Sequence, residues 1–552
     1  MKKPKDTSLI EVSFYILLVA LITIFEFTYR TQTRIAHDLS SYIVPALAPG
    51  RGLGVPYLDY YINRPPGAFV VLKIWEIFLG SQIYSWILLE FILLIAIGLI
   101  VHRICRHFTS KNISVVLSVL FEIQLLFGGI LDMFLPLELI GIFFILLGVF
   151  ALINNHRKNI NIVLSVSVFT IASLVREQYF CVLFIGVIAI AIIQDSWALR
   201  LRSLFVSAIG IAVVLIPMIT MLLGQRNFLA FLNIFVDEYE TERHSPIFLI
   251  PWFNEAIKFH TSNSFNYLGF KSFLHNFLLA IAAFDCISSL FSALFAPKKT
   301  RTQVLNFFVK AIGFSLILSV AWQSSGSVLR FSEHYAISSL IGIFLFVLTV
   351  MNQIGNTIKL KKVIDKHRYI FKIILILILL PSSKSINLMI NSIETLNPKS
   401  FFENVVPNSS TPLNSDESRS IQILSQSPKN FRCTMSVYGW DTGAYYFYTN
   451  SQPCSRYFLD ALLVSAEMAG EYRQDLILNP PRLINYSGLN ERFEAFVFPY
   501  SAVINECYIS VDNLRNISPL SNNVRSFLYI SLYASAAEQS SCISQVIMDV
   551  HF

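Results

Sequence analysis

A chain of 552 residues that is 54% hydrophobic and 14% charged is excluded from the ordinary soluble class, in which about a quarter of residues are charged. The formal net charge of +7 does not mark a nucleic-acid binder. Its Lys and Arg residues fall in short clusters between apolar blocks, the pattern that orients helices in a bilayer.

The apolar blocks are roughly 20 residues long, the length that crosses a hydrocarbon core. About eleven spans are expected, near 9–28, 82–102, 113–130, 134–153, 160–176, 178–195, 203–223, 276–296, 304–322, 335–352 and 369–386. No small-residue cleavage site follows the first block, so it is expected to remain as a helix. With the N-terminus in the cytoplasm, the basic segments MKKPK, HRICRHFTSK (102–111), HRK (156–158), RLR (200–202), KKTR (298–301) and KLKKVIDKHR (359–368) all fall inside. The first loop, the loop 224–275, the segment 323–334 and everything after about 387 then fall outside.

The first outer loop, 30–81, interrupts the apolar pattern. Ile35, Leu39, Tyr42, Ile43 and Ala46 recur at the spacing of one helical face, with Asp38 at its rim. A carboxylate at the membrane–water boundary is partly desolvated and suited to general-base work. Pro45 and the Pro49-Gly50 pair are expected to limit this helix. Asp59 follows among aromatics, and Arg64 precedes the stiff Pro65-Pro66 pair. A loop carboxylate that caps a helix or pairs an Arg is the plain alternative for either Asp. The stretch 65–80 is too short and too charged to span, because it holds Lys73 and Glu76, and it reads as a membrane-surface helix.

Within and beside the spans, Arg176 and Arg330 are candidates to meet a phosphate, although either could instead reach for lipid headgroups. Glu138 lies near the outer end of its span, where it could face a sugar. Glu177 could pair with Arg176, while Glu90 and Glu122 read as contacts between helices. His334 and Tyr335 open a late span, as a binding pair or as an interfacial anchor. The run VDEYETERH (236–244) offers Asp237, Glu238 and Glu240 as oxygen ligands for a divalent cation, the one candidate cofactor, against the commoner reading of a solvated charged face.

The domain layout follows: a transmembrane domain over 1–386, a polar linker over 387–410 and an outer α/β domain over 411–552. CTMSVYGWDTGAYYFY and RFEAFVFPYSAVI carry β-type residues, while SRSIQILSQ and CSRYFLDALLVSAEMAGEYRQDLIL read as helices. Cys433, Cys454, Cys507 and Cys542 lie on the oxidising side, which points to disulfides. We favour 433–454 and 507–542, though four cysteines allow three pairings.

An Asp just after the first span, then G-V-P-Y-L-D (54–59), then N-R-P-P-G (63–67) leading into a surface helix, resembles the membrane glycosyltransferases of the GT-C fold. The pattern is most similar to the bacterial family related to protein O-mannosyltransferases and the lipid A aminoarabinose transferase. The segments R-F-S-E-H-Y (330–335), V-Y-G-W-D-T-G-A-Y-Y-F-Y-T-N (437–450), S-R-Y (455–457) and N-P-P (479–481) share the resemblance. Many relatives carry Asp-Glu at the first position, whereas Leu39 follows Asp38 here. The resemblance implies a polytopic helical inner (plasma) membrane enzyme with an extracytoplasmic C-terminal α/β domain. It would move a sugar from a polyprenyl-phosphate-linked donor to a hydroxyl on a glycan, lipid or protein acceptor at the outer face. It also implies that Asp38 is the general base and that Asp59 binds or assists. The phosphate leaving group needs cations rather than a strong acid, so one Asp and several Arg form a sufficient set. A surface-polysaccharide polymerase or ligase, and a lipid-linked sugar transporter or flippase, are the alternatives.

Overall fold

The computed structural model describes residues 37–51, 54–61, 65–80, 83–127, 137–238, 301–324, 336–356, 433–437, 451–457, 466–486, 498–510, 527–533 and 535–549, with single positions at 16, 17, 20, 390 and 446. The helices are α1 (His37–Arg51), α2 (Gly67–Leu79), α3 (Ile83–Phe108), α4 (Lys111–Phe127), α5 (Leu137–Asn155), α6 (Asn159–Val175), α7 (Phe180–Ile192), α8 (Trp197–Gly224), α9 (Phe228–Glu238), α10 (Arg301–Ser324) and α11 (Ala336–Asn356). A 3-10 turn, Glu177–Tyr179, joins α6 to α7. Helices therefore occupy the apolar blocks from 82 to 223 and from 304 to 352. The blocks at 9–28, 276–296 and 369–386 lie outside the described residues, save for single positions.

Three of the described helical stretches are long and apolar enough to cross a membrane: Leu88–Phe108, Leu137–Asn155 and Trp197–Gly224. α5 is buried nearly all round, so it forms the centre of the bundle and packs on α3 and α6. α8 does the opposite. Phe205, Val213, Ile216 and Leu223 are all exposed along it, a continuous apolar surface that requires a non-aqueous surround. α10 and α11 cross closely at two glycines. A Cβ on Gly342 would stand 2.5 Å from the Gly313 carbonyl oxygen, so the backbones meet only because both side chains are absent.

α1 departs from the expected one-faced helix in two ways. The helix continues through both Pro45 and Pro49 to Arg51. Proline removes one amide donor and crowds the preceding turn, but Pro45 is buried and packing holds the helix around it, while Pro49 is exposed two residues before the helix ends. Tyr42, Ile43, Val44, Ala46, Leu47 and Ala48 are all buried, so α1 is enclosed by protein rather than amphipathic over this stretch. α2 has 13 residues and is thus about 20 Å long, shorter than a hydrocarbon core. Its first half packs Ala68, Phe69 and Leu72 inward, and its second half exposes Ile74, Ile77 and Phe78. Lys73 Nζ meets Glu76 Oε2 at 2.7 Å, which pairs the two charges that argued against a span.

The C-terminal part forms a mixed five-stranded sheet in the order β2-β1-β3-β5-β4. Its strands are β1 (Cys433–Val437), β2 (Gln452–Pro453), β3 (Leu483–Tyr486), β4 (Tyr508–Ser510) and β5 (Phe527–Ser531). β1 is parallel to β2 and β3, with Met435 opposite Ile484, and β5 is antiparallel to β3 and β4. With the strands go α12 (Ala466–Leu478) and α13 (Tyr500–Cys507), which lie between them in the chain, and α14 (Ala536–Asp549), which follows β5. Two sequence readings are corrected here. YSAVI belongs to α13, because Pro499 supplies a pre-set N-cap position and the following residues close backbone bonds onto it. Residues 454–457 are not helical; they form a bent strap that a disulfide holds against β1. Cys433 is bonded to Cys454, and Cys507 to Cys542.

Candidate functional site

One end of the bundle gathers polar side chains. It is the end formed by the N-terminus of α5, the C-terminus of α6, the 3-10 turn and the N-terminus of α11. α6 stops at Val175 because Arg176 leaves helical geometry, at φ −141° and ψ 120°, before the chain re-enters the 3-10 turn. That break turns the Arg176 side chain inward, where it is 1% exposed.

Arg176 Nη2 lies 2.7 Å from Glu138 Oε1, and Glu138 is fully buried in the first turn of α5. Two candidates singled out separately thus share one site. Arg176 Nη1 also donates to the Tyr42 hydroxyl of α1 at 3.4 Å, and the guanidinium carbon stands 5.9 Å from the Tyr42 ring centre. An isolated ion would be costly in this setting, and the pairing offsets much of that cost.

Tyr179 extends the cluster to α11. Its hydroxyl stands 2.9 Å from Ser338 Oγ and donates to the Glu138 backbone carbonyl at 3.4 Å. Gly141 makes room for the ring: a Cβ there would lie 2.3 Å from Tyr179 Cε2. Gln178 Nε2 donates to Ser338 Oγ at 3.5 Å. Glu138 Oε2 and Gln178 Oε1 are buried acceptors with no hydrogen-bond donor among the described residues. They leave capacity for hydroxyl donors.

Asp38 lies in α1 one turn before Tyr42, the residue that contacts Arg176. Its backbone is described and its side chain is not. The loop that follows α1 is fixed from several directions. Tyr57 is buried at φ 68°, a left-handed conformation that packing must hold. Its ring meets Phe69 of α2 at 5.8 Å and Phe231 of α9 at 5.2 Å. Burial, with a smaller contribution from Tyr42, pushes the Tyr57 phenol well above its usual range and removes it as a base near neutral pH. Asn227 Nδ2 donates to the Pro56 carbonyl at 3.0 Å.

Asp59 is exposed, and its Oδ2 accepts the Val55 amide at 2.7 Å, so it closes its own turn. Beyond it, the Tyr61 amide donates to the Arg456 carbonyl at 2.6 Å, and the Tyr61 and Tyr457 rings are 5.1 Å apart. The first loop therefore touches the C-terminal unit. Sequence reasoning missed this seam and the polar use of Tyr42. The i, i+4 spacing of Asp38 and Tyr42 was the available signal for the latter.

Arg64, Arg330, His334, Tyr335 and Glu240 lie outside the described residues. Asp237 and Glu238 end α9, and their side chains are not described. Among the described residues no group of three or more His, Cys, Asp or Glu comes together to hold a metal ion. Glu90 and Glu122 are buried within α3 and α4.

A helical bundle with a buried first-loop helix at one end and an α/β unit in contact with that loop makes a fold of the GT-C type. The chain superposes on ArnT from Cupriavidus metallidurans in the apo state with a TM-score of 0.51 at 12% identity, over 96% of this chain and 98% of that one. It is also similar to the oligosaccharyltransferase AglB from Archaeoglobus fulgidus, solved with an inhibitory peptide and a dolichol-phosphate. There the TM-score is 0.46 at 11% identity, over 95% and 77% of the two chains. No family profile matches the chain, and no curated protein matches it by sequence. At these identities the likeness is one of fold.

Proposed function

We propose that this protein is a membrane glycosyltransferase that moves a sugar from a polyprenyl-phosphate-linked donor to an acceptor hydroxyl at the outer face of the bilayer. The observation that carries the reading is the convergence of α1, which bears Asp38, on the buried Arg176–Glu138 pair through Tyr42. In this reading Asp38 removes the acceptor proton as its oxygen attacks the sugar carbon. The carbon–oxygen bond to phosphate breaks, and the lipid phosphate leaves as an anion that needs no protonation. Arg64, Arg330 and Arg176 supply positive charge for that anion. Glu138 and Gln178 accept sugar hydroxyls, and Asp59, His334 and Tyr335 assist binding.

The reading places about eleven spans in the membrane, a cytoplasmic N-terminus and an outer α/β domain. The placement of Arg157 and Arg200 supports that orientation. Arg157 and Arg200 lie at the helix ends opposite the Arg176 cluster, where Arg157 Nη2 meets Asp195 Oδ2 at 3.1 Å. A transporter would place its polar site near mid-membrane on interrupted helices. This site instead occupies the helix ends.

The test is incubation of the purified protein in lipid nanodiscs with a panel of polyprenyl-phosphate sugars, reading the freed lipid phosphate by mass spectrometry. Release of polyprenyl phosphate with one sugar, dependent on an added acceptor, is expected. Turnover with a sugar nucleotide and no prenyl lipid would overturn the donor assignment.

A further inference from the structure

We infer that the C-terminal unit sets the position of the first loop, and that Arg456, Tyr457 and Glu471 are positioning residues for transfer. The inference rests on the reading of that loop as catalytic and adds a part of the chain far from the membrane helices.

The strap 454–457 is held on three sides. The Cys433–Cys454 disulfide ties it to β1. Ser455 Oγ donates to Asp475 Oδ2 of α12 at 2.7 Å, and the Tyr457 amide donates back to Ser455 Oγ at 3.2 Å. Arg456 Nη2 and the Tyr457 hydroxyl both donate to Glu471 Oε2, one turn earlier on α12. Arg456 also lies over the Tyr457 ring, 4.9 Å from its centre. Partial burial works against the Arg456 charge, but the bonds to Tyr457 and Glu471 outweigh it and hold the guanidinium more firmly charged. Burial, and then the Glu471 bond, push the Tyr457 phenol above its ordinary range, so it stays a donor.

These bonds fix the Arg456 carbonyl, and that carbonyl receives the Tyr61 amide. Tyr61 is 6% exposed and Tyr457 2%, so their ring contact is buried, while the Arg456 and Glu471 side chains beside it are 37% and 43% exposed. Upstream, membrane-side elements hold the loop through Asn227 and Phe231. At Tyr61 the strap holds the loop through the amide bond to Arg456 and the ring contact with Tyr457. A fixed Tyr61 holds the end of the described loop segment 54–61, and a mobile one would release it.

The test is hydrogen exchange on the full chain in nanodiscs, comparing wild type with Tyr457→Ala, Glu471→Ala and the conservative Tyr457→Phe. Exchange at Tyr61 should rise at least about tenfold in the first two, while β3 and β5 amides and α5–α6 stay protected. With the donor found by the panel, kcat should fall about tenfold with KM changed by less than about twofold, and Tyr457→Phe, which keeps the ring contact and the Arg456–Glu471 pair but loses the hydroxyl bonds, should fall between wild type and Tyr457→Ala in both exchange and kcat. Unchanged Tyr61 exchange in a folded variant overturns the anchoring, and faster exchange with unchanged kcat overturns the positioning role. If wild type turns over no polyprenyl-phosphate sugar yet Tyr61 exchange rises in the variants, the proposed function fails and the positioning role with it, while the anchoring stands.

Discussion

Arg176 and Glu138 form a buried ion pair, Nη2 to Oε1 at 2.7 Å, in which both side chains are at most 1% exposed. It joins the start of α5 to the end of α6 and, through Tyr42, secures α1. Removing one partner leaves the other charge buried. Arg176→Met or Glu138→Leu alone should therefore cost about 3–5 kcal/mol, and the double variant Arg176→Met/Glu138→Leu should recover much of it. Thermal unfolding in detergent checks both. Recovery of stability without recovery of transfer would separate the packing role from the chemical one.

Gly141 gives a sharper steric test. Because a Cβ there would stand 2.3 Å from the Tyr179 ring, Gly141→Ala must displace that ring and its contact with Ser338. A loss of about 1–3 kcal/mol is expected. The companion Gly141→Ala/Tyr179→Ala should show a smaller loss than the sum of the single changes, measured by the same unfolding assay.

The C-terminal disulfides make an independent prediction. Cys507 and Cys542 close a sequence separation of 35 residues and tie α13 to α14. The double change Cys507→Ser/Cys542→Ser should cost about 2–5 kcal/mol, read by urea unfolding without reductant.

Alkaline pH should weaken the same unit. Tyr508 donates its hydroxyl to the Pro481 carbonyl at 2.7 Å, and burial raises its folded pKa well above the ordinary tyrosine range. A raised pKa means the folded state holds the proton more tightly than the unfolded state. The stabilisation is complete below the unfolded value of about 10 and is lost as pH rises through the folded value. Urea midpoints measured from neutral pH upward should stay level on account of this residue until about pH 10 and then fall. Tyr508→Phe should fall less steeply over the upper interval.

Much of the bundle was legible because length and apolarity alone identify a membrane helix. The blocks at 82–102, 134–153 and 203–223 lie within or against α3, α5 and α8. Local rules failed where packing overrode them. Pro45 did not stop α1, since its enclosure outweighs the lost bond, and Pro49 stands exposed in the helix's last turn. YSAVI has strand-like residues but follows Pro499 into α13. For the site, the sequence marked Glu138 and Arg176 one at a time. Their pairing depends on the antiparallel contact of α5 with α6 and on the extended backbone at Arg176, which no local pattern encodes. Tyr42 appeared as one member of an apolar stripe, although its hydroxyl is what reaches Arg176. The Tyr61–Arg456 seam joins segments from opposite ends of the chain and has no local signature.

The central claim is that Asp38 is the base. The most direct measurement is single-turnover transfer by Asp38→Asn in nanodiscs, with the donor identified from the polyprenyl-phosphate panel and its binding measured in parallel. The account predicts a rate loss of about 10²–10⁴-fold, with donor affinity and unfolding temperature unchanged. Transfer at the wild-type rate by the folded Asp38→Asn protein would contradict it.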